Sequence, residues 1–372
     1  MGLTWRQVMA WRLRRHQLHE RAPAAGDAEV VTAIGGLHAQ VFSSAELSLW
    51  ARQDGLAAGD LERSLWEERR YVKTWAMRGT LHLIPAARYP VVQAGLGTYD
   101  HYLKPVWFRN FGVTQEELEL LIRTVGEALD GTPLTRAELA DEVAKRTGSE
   151  SLAEKVRESW GALLKPASFR GRLCFAPNLG QNVRFTRPDR WLGRFDPVDP
   201  AAALTDITRR YLAAYGPATR EDFARWWGVM PARAKALLTA LGDEATRVEV
   251  EGAEQWVLAD DVAEVAAATA SRSVRLLPAF DPWVIGASRS VDALVAGGAR
   301  SRIYRPQGWI SPVLVVNGRM DGVWKHERSG NRLEVRVEPF VPVPAWARKA
   351  AEAEAERLAT FLGGALEVTW DA

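Results

Sequence analysis

The sequence predicts an α+β fold, with three tandem winged-helix units followed by a small antiparallel β domain. Two observations support this prediction: a segment that occurs twice and a change of character near residue 270. The repeated segment reads Pro-Leu-Thr-Arg-Ala-Glu-Leu-Ala at 133–140 and Pro-Ala-Thr-Arg-Glu-Asp-Phe-Ala at 217–224. In both copies a threonine is followed three residues later by an acid, which is a capping box or its aspartate variant. Each copy is therefore expected to begin a helix at its threonine.

The elements around each copy complete the winged-helix pattern. An apolar helix is expected before each copy, a further helical stretch after it, and a strand pair at its end. Three helices and a β-hairpin make a winged helix, which is a variant of the helix-turn-helix. The expected preceding helices are 118–129 and 207–215, the following helices 160–164 and 232–241, and the strand pairs 172–176 with 183–185 and 247–250 with 255–258.

The N-terminal region ends in the same way, which gives the third unit. Thr4 can cap a helix over 4–19, and a strand-like stretch at 71–83 has Gly79 at a tight turn. Periodic repetition of one supersecondary unit is the signature of a tandem architecture. Helices are expected between these two elements at 29–34, 44–52 and 61–70.

After residue 270 the chain becomes rich in short β segments. Asn317-Gly318 is a strong signal for a type I′ hairpin turn. A late helix is expected at 345–361 and a closing strand at 366–370. The other expected strands are 274–277, 283–285, 302–304, 312–316, 320–325 and 332–339. The predicted domains are thus 1–110, 111–200, 201–270 and 271–372.

Length and composition exclude several classes of protein. A chain of 372 residues is long for one core, and 47% hydrophobic with 25% charged residues is ordinary for a globular protein. The sequence has no run of about 18 apolar residues, the length needed to span a membrane. Its N-terminus lacks the apolar core of a signal peptide. The single Cys174 excludes an internal disulfide framework and a cysteine-based zinc site. We therefore expect a cytoplasmic protein.

The charge distribution is compatible with nucleic acid but does not demand it. The net charge is only +2, below that of a typical DNA-binding domain. Of the 48 basic residues only eight are lysines, and arginine binds phosphate and guanine through two parallel hydrogen bonds. A GC-rich genome explains the arginine excess equally well.

The loop 35–44 contains the residue pair of greatest chemical interest. His38 and Gln40 are two positions apart, so an extended segment turns both side chains to the same side. The small Ala39 between them leaves room for a substrate. Taken alone, this triplet also fits a solvated loop that happens to contain a histidine.

Two further segments favour a functional role for the triplet over an ordinary loop. They are Lys-Thr-Trp-Ala-Met-Arg-Gly-Thr-Leu-His-Leu-Ile-Pro at 73–85 and Leu-Leu-Pro-Ala-Phe-Asp-Pro-Trp-Val-Ile-Gly at 276–286. Together with Gly-Leu-His-Ala-Gln at 36–40, and in this order, they resemble the tandem winged-helix proteins that include the bacterial DNA glycosylases AlkZ and YcaQ. The resemblance runs over nearly the whole chain. In that family the triplet is Gln-x-Gln or Gln-x-Asp and holds the hydrolytic water, whereas this sequence has His38 at the first position.

The resemblance implies a monofunctional DNA glycosylase with His38 and Gln40 as catalytic residues. Its implied substrates are bulky or cationic alkylated purines in double-stranded DNA, such as N7-guanine adducts and interstrand crosslinks. Its implied roles are base excision repair or self-resistance to a genotoxic natural product. We expect a monomer that needs no metal or other cofactor. The residues expected to contact DNA are Ser43, Lys73, Arg78, Thr80, Arg302 and Arg305.

Several of these DNA contacts have alternatives. Arg78 can equally pin the first hairpin internally, and Lys73 fits a phosphate or structural role better than a Schiff base. Arg302 and Arg305 interleave with aromatic residues in a stretch that could enter a DNA groove or form ordinary surface. Asp281, which precedes a proline, is expected to make a turn.

The triplet is chemically suited to a substrate that departs easily. A cationic N7-alkylguanine is a good leaving group, so neutral groups that hold water can suffice. Gln40 offers a donor and an acceptor, and His38, with a free pKa of about 6.5, can accept a proton or simply hydrogen-bond the water. The sequence contains no GxxxxGK[ST], HExxH or GxSxG motif. The alternative function is a non-enzymatic winged-helix DNA-binding protein, such as a regulator.

Overall fold

The computed structural model describes residues 2–24, 26–269 and 272–371 and confirms the α+β class. The helices are Trp5–Arg15, Asp27–Ala33, Phe42–Trp50, Asp60–Trp66, Tyr89–Leu96, Pro105–Phe111, Gln115–Ala128, Arg136–Thr147, Glu150–Glu158, Lys165–Phe169, Pro188–Leu192, Pro200–Tyr215, Arg220–Trp227, Pro231–Thr239, Val262–Ala267, Pro282–Gly286, Arg300–Ile303 and Ala345–Leu362. The strands are Gly2–Leu3, Leu37–His38, Tyr71–Trp75, Leu81–Pro85, Leu134–Thr135, Cys174–Leu179, Asn182–Thr186, Ala245–Val250, Ala253–Leu258, Val274–Leu277, Val313–Val316, Arg319–Ser329, Arg332–Pro339 and Ala365–Trp370. Among the described residues, none of these helices has the length and apolarity to cross a membrane.

The chain divides into two compact units, one formed by residues 1–61 with 208–372 and the other by 62–207. The first strand explains why the N-terminus belongs with the C-terminal half: Gly2–Leu3 pairs in parallel with Ala245–Val250. The following helix packs against Val262–Ala267, where Arg15 forms an ion pair with Glu264. The division into four consecutive domains remains a prediction, and its boundary between residues 270 and 271 falls outside the described residues.

The repeated segment forms a capped helix in both copies, as predicted. The Thr135 hydroxyl accepts a hydrogen bond from the Glu138 amide at 3.3 Å, and the Glu138 carboxylate accepts one from the Thr135 amide at 2.7 Å. Thr219 and Asp222 exchange the same pair of bonds. An antiparallel hairpin follows each copy, within Cys174–Thr186 and within Ala245–Leu258.

The first hairpin also forms where the sequence predicted it. Tyr71–Trp75 pairs with Leu81–Pro85 in antiparallel register. Arg78 and Gly79 both have positive φ, 59° and 67°, in the turn between the strands. The side chains of Lys165 and Phe169 lie close to Gly79, so the turn is fixed both by its backbone geometry and by its neighbours.

The C-terminal sheet has five strands in chain order, antiparallel except for the last pair. Asn317 and Gly318 have φ of 53° and 88°, which confirms the type I′ turn. Two of the expected strands are wrong. Residues 283–285 lie in the helix Pro282–Gly286, and residues 302–303 lie in the helix Arg300–Ile303. Both segments are only three residues long, and so short a segment has no periodicity that separates strand from helix.

The first helix begins after Thr4, as predicted, but ends at Arg15 because the chain turns at His16 into the core. The His16 side chain is fully buried, and its Nε2 donates a hydrogen bond to the Ala214 carbonyl at 3.1 Å. The rings of Tyr215 and Trp283 contact it edge-on. Burial lowers the pKa of His16 well below its ordinary value, and nearby guanidinium groups lower it further. His16 is therefore neutral in the folded protein at neutral pH.

This burial predicts a specific pH dependence of stability. Below about pH 6.5 the unfolded chain binds a proton at His16 that the folded chain does not, so the free energy of unfolding should fall by up to about 1.4 kcal/mol per pH unit. Urea unfolding at pH 7.0, 6.0 and 5.5 measures the fall. His16→Gln is the control, because its amide can donate to Ala214 without titrating. Identical pH dependence in the two proteins would contradict the prediction.

Candidate active site

The loop that carries His38 is fixed at its beginning by contacts within its own unit. The Tyr215 hydroxyl donates a hydrogen bond to the Ile34 carbonyl at 2.8 Å, at the end of the helix Asp27–Ala33. Gly35 follows with φ of 77° and lies so close to Trp226 that a Cβ would be 2.9 Å from the indole ring. A glycine is therefore required there on both conformational and steric grounds.

His38 and Gln40 differ in their surroundings. The His38 side chain is 6% exposed, Ala39 is buried, and Gln40 is exposed to solvent. The strand Leu37–His38 ends before Ala39, and Gln40 lies in a bend, so the expectation that both side chains turn to the same side stays a prediction. His38 is thus buried, whereas the amide of Gln40 is exposed to solvent. Their joint role in catalysis remains a prediction.

Phe280 holds the His38 ring. The two rings stack with centroids 4.9 Å apart and planes 15° from parallel. Stacking covers one face of the imidazole, so His38 can meet other groups mainly through its edge. Phe280 itself has φ of 58°, a left-handed conformation that costs of order 1–3 kcal/mol for a residue other than glycine. Surrounding contacts must hold this backbone in place.

An ion pair at the next residue provides those contacts. Asp281 and Arg52 are both 0% exposed and form two parallel hydrogen bonds of 2.7 Å each. Asp281 also accepts a hydrogen bond from the Trp283 amide at 2.8 Å, and Arg52 donates to the Ser48 carbonyl at 2.7 Å. Arg52 directly follows the helix that begins at Phe42, two residues after Gln40. The pair therefore joins the helix behind the loop to the segment that carries Phe280, and Asp281 has the structural role expected of it.

Trp309 extends the aromatic contact outward. It meets Phe280 edge-on with centroids 4.9 Å apart, and it is 45% exposed. It lies in a tight turn in which the Arg305 amide donates to the Trp309 carbonyl at 2.8 Å. Arg305 is exposed on this turn, and Arg302 just before it is ion-paired with Glu338. Packing thus brings the predicted Arg305 segment to the neighbourhood of His38.

The remaining predicted DNA contacts divide between the two units. Ser43 is exposed on the first turn of the helix Phe42–Trp50, in the same unit as His38. Lys73, Arg78 and Thr80 belong to residues 62–207. The Lys73 ammonium lies 5.7 Å from the Phe175 ring centroid, and burial lowers its pKa. The Thr80 hydroxyl donates to the Met77 carbonyl at 3.1 Å, and Arg78 is half-buried. Their contact with DNA remains a prediction.

Across residues 2–24, 26–269 and 272–371, no three histidine, cysteine, aspartate or glutamate side chains lie close enough together to form a metal site. Cys174 is buried, and burial raises the pKa of its thiol, so it is not a reactive thiolate.

The sequence did not reveal the contacts of His38 with its surroundings. Phe280 lies in one of the three recognised segments and Trp309 in the stretch of interleaved basic and aromatic residues. Phe280 packs on His38 from a position more than 240 residues away, and Trp309 packs on Phe280; no local pattern encodes these contacts. The run Phe280-Asp281-Pro282 was the available signal, since an acid between an aromatic residue and a proline marks a fixed turn.

Comparisons with known proteins agree with the fold and identify the family. Residues 31–361 match a family model described as DNA glycosylase AlkZ-like. A curated protein of Streptomyces sahachiroi, named interstrand DNA cross-link repair glycosylase, is 38% identical over 374 residues, covering 98% of each chain. A solved structure titled Streptomyces sahachiroi DNA glycosylase AlkZ superposes with a TM-score of 0.91 at 36% identity, covering 100% of both chains.

Breaking the buried ion pair should be costly. Asp281→Asn leaves the Arg52 charge buried and uncompensated, so the free energy of unfolding should fall by about 3–5 kcal/mol. Urea unfolding measures this. The matched control is Glu338→Gln, which removes a partly exposed ion pair and should cost less than about 1 kcal/mol. Equal costs for the two variants would show that the buried pair has no special weight.

Proposed function

Because the chain belongs to the AlkZ-like family of DNA glycosylases, we propose that it hydrolyses the N-glycosidic bond of alkylated purines in duplex DNA. The proposed substrates are bulky or cationic N7-guanine adducts, and they include interstrand crosslinks, which the name of the Streptomyces sahachiroi relative specifies for that protein. The observation that carries the proposal is the stacked His38 beside the solvent-exposed Gln40 on a loop fixed at both ends. The alternative of a non-enzymatic regulator gives way, because the family model and the relatives are glycosylases.

The reaction needs little acid catalysis from the protein. A water oxygen forms a bond to C1′ of the sugar, and the bond from C1′ to N9 breaks. The electron pair of that bond neutralises the positive charge of the N7-alkylated ring, so the base leaves as a neutral molecule. The water gives up one proton, to His38 or to solvent. The groups most needed are therefore those that aim the water and those that stabilise the cationic sugar.

The contacts of the two residues support different roles. Gln40 is exposed, so its amide can reach a water bound against the DNA, donating one hydrogen bond and accepting another. The Phe280 stack fixes the plane of the His38 ring, so its edge can hold the same water without the freedom of a longer side chain. We favour His38 as a neutral water-holding group, because the family performs this chemistry with glutamine at that position.

The wider proposal concerns how the DNA is held and why it is repaired. Arg305 and Ser43 are exposed in the unit of the candidate site and would contact the phosphate backbone near the lesion. Arg302, Lys73, Arg78 and Thr80 are the further proposed DNA contacts. The enzyme would act as a monomer, in base excision repair or in self-resistance to a genotoxic natural product.

Substitution of the two loop residues tests the assignment. Gln40→Ala should lower the single-turnover release of N7-methylguanine from a duplex by about 10²-fold, with DNA affinity nearly unchanged, because one positioning group is lost. His38→Gln restores the Gln-x-Gln triplet and should keep most activity at every pH. The control is Glu29→Gln, an exposed residue of the helix Asp27–Ala33 to which no DNA contact is assigned, and it should cleave at close to the wild-type rate.

The outcome separates three cases. A wild-type rate that falls with pH, together with a flat profile for His38→Gln, would instead make His38 the general base. If Gln40→Ala and His38→Ala both cleave at the wild-type rate, the loop is not the active site.

The reaction type has its own test. The loop contains no lysine, so water rather than an amine should attack the sugar, and the product should be an intact abasic site. Borohydride added during turnover should trap no protein–DNA adduct. A trapped adduct in good yield would show an amine nucleophile and overturn this mechanism.

A further inference from the structure

A groove of about 420 Å³ adjoins the turn that carries Trp309. We call it the Trp309 groove; the residues that matter in its lining are Arg302, Arg305, Trp309, Pro312, Val323 and Trp324. All belong to the unit that contains His38. Pockets for drug-sized ligands have volumes of about 300–1,000 Å³, so this groove is large enough for a multi-ring organic body.

The groove is connected to the candidate site through aromatic contacts. Trp309 forms part of its lining and also meets Phe280 edge-on, and Phe280 stacks on His38. Each of these two contacts joins ring centroids 4.9 Å apart. A substituent that extends from a base held at His38 therefore needs to pass only this aromatic pair to enter the groove.

The lining of the groove combines polar and apolar side chains, and its apolar part is formed by Trp309, Pro312, Val323 and Trp324. Pro312 and Val323 offer no polar side-chain atoms. Trp324 is buried and donates its indole N–H to the Leu277 carbonyl at 2.8 Å, so it can offer the groove only apolar ring surface. Trp309 is 45% exposed and supplies a half-open aromatic wall. A planar or apolar ring body would gain contact with each of these surfaces.

The charges at the rim favour an organic body over a DNA backbone. Three cationic side chains line the groove: Arg302, Arg305 and Lys325. Arg302 is ion-paired with Glu338, and Lys325 is ion-paired with Glu327 at 2.9 Å, so two of the three are already neutralised. Glu338 itself lines the groove and would repel a phosphate. Arg305 forms no ion pair in the described ranges, and its guanidinium has five N–H donors, enough to contact a phosphate outside the groove and an oxygen acceptor within it. The groove therefore suits an apolar body that carries oxygen acceptors.

We infer that the Trp309 groove binds the part of a bulky adduct that extends beyond the alkylated base, a planar or apolar ring body with oxygen acceptors. This inference rests on the proposed function and specifies its substrate class. The groove gives the enzyme a preference for bulky adducts, because a methyl group at N7 cannot reach it. Binding energy gained in the groove is added to whatever the base and the DNA backbone provide.

Filling the groove tests the inference. Three duplexes of one sequence carry N7-methylguanine, N7-benzylguanine or N7-(naphthylmethyl)guanine at the same position. Val323→Phe places a ring inside the groove on a strand that accepts aromatic residues well. The ratio of single-turnover rates, naphthylmethyl to methyl, should fall about tenfold, which is the loss of about 1.4 kcal/mol of contact. The benzyl duplex should give an intermediate ratio.

Matched variants separate packing from other effects. Val323→Ala widens the groove and should keep the wild-type ratio or raise it. Trp309→Ala removes the aromatic wall and should lower the ratio, whereas Trp309→Phe should restore most of it. Trp160→Ala removes an exposed tryptophan from the other unit and should leave the ratio unchanged. Urea unfolding verifies that each variant is folded.

The outcomes are distinct. An equal fall for all three duplexes in Val323→Phe and Trp309→Ala would mean that these residues support His38 or hold DNA, and it would overturn the inference. Unchanged rates on every duplex would overturn it as well, while the proposed function would stand on the N7-methylguanine activity. A wild-type protein that releases none of the three bases would overturn both.

Discussion

The ion pair between Arg52 and Asp281 is the constraint on which the candidate site depends. Both side chains are completely excluded from solvent, and removing two charges from water is costly unless the geometry is nearly ideal. Here two parallel hydrogen bonds join the groups, the Asp281 carboxylate also accepts from the Trp283 amide, and Arg52 also donates to the Ser48 carbonyl. Of the polar atoms of these two side chains, only Nε of the Arg52 guanidinium has no hydrogen-bond partner among the described residues. Such a pair tolerates few arrangements of its surroundings. It therefore fixes the position of the segment around Phe280 relative to the helix that follows the loop of His38.

The ion pair affects the position of His38 through Phe280, whose backbone conformation is strained. Phe280 has a left-handed backbone that an aromatic side chain adopts only when its neighbours hold it there. The fixed Asp281 on one side and the buried strand Val274–Leu277 on the other provide that restraint. The resulting ring position is the one that stacks on His38. Local strain is thus maintained at a site where orientation matters for the proposed chemistry.

The replacement of glutamine by histidine in the triplet has a physical meaning in this setting. A glutamine amide sits at the end of a flexible chain with three torsions, whereas an imidazole is a flat ring with two. A flat ring can stack on Phe280 over its whole face, and its orientation is then defined by one contact. A histidine at position 38 is therefore less flexible than a glutamine would be, and its ring nitrogens point in a fixed direction.

Local sequence determined much of this protein. The capping boxes at Thr135 and Thr219, the Asn317-Gly318 turn and the first hairpin all follow from interactions within a few residues, so the sequence predicted them correctly. The family segments predicted which loop to examine. Tertiary structure decided the rest. It decided the short helices at 282–286 and 300–303, the pairing of the first strand with Ala245–Val250, the packing of Phe280 on His38 and that of Trp309 on Phe280. Long-range contacts of different kinds act at these places: the Arg52–Asp281 ion pair before the helix at 282–286, the backbone pairing of Gly2–Leu3, and the ring contacts of Phe280.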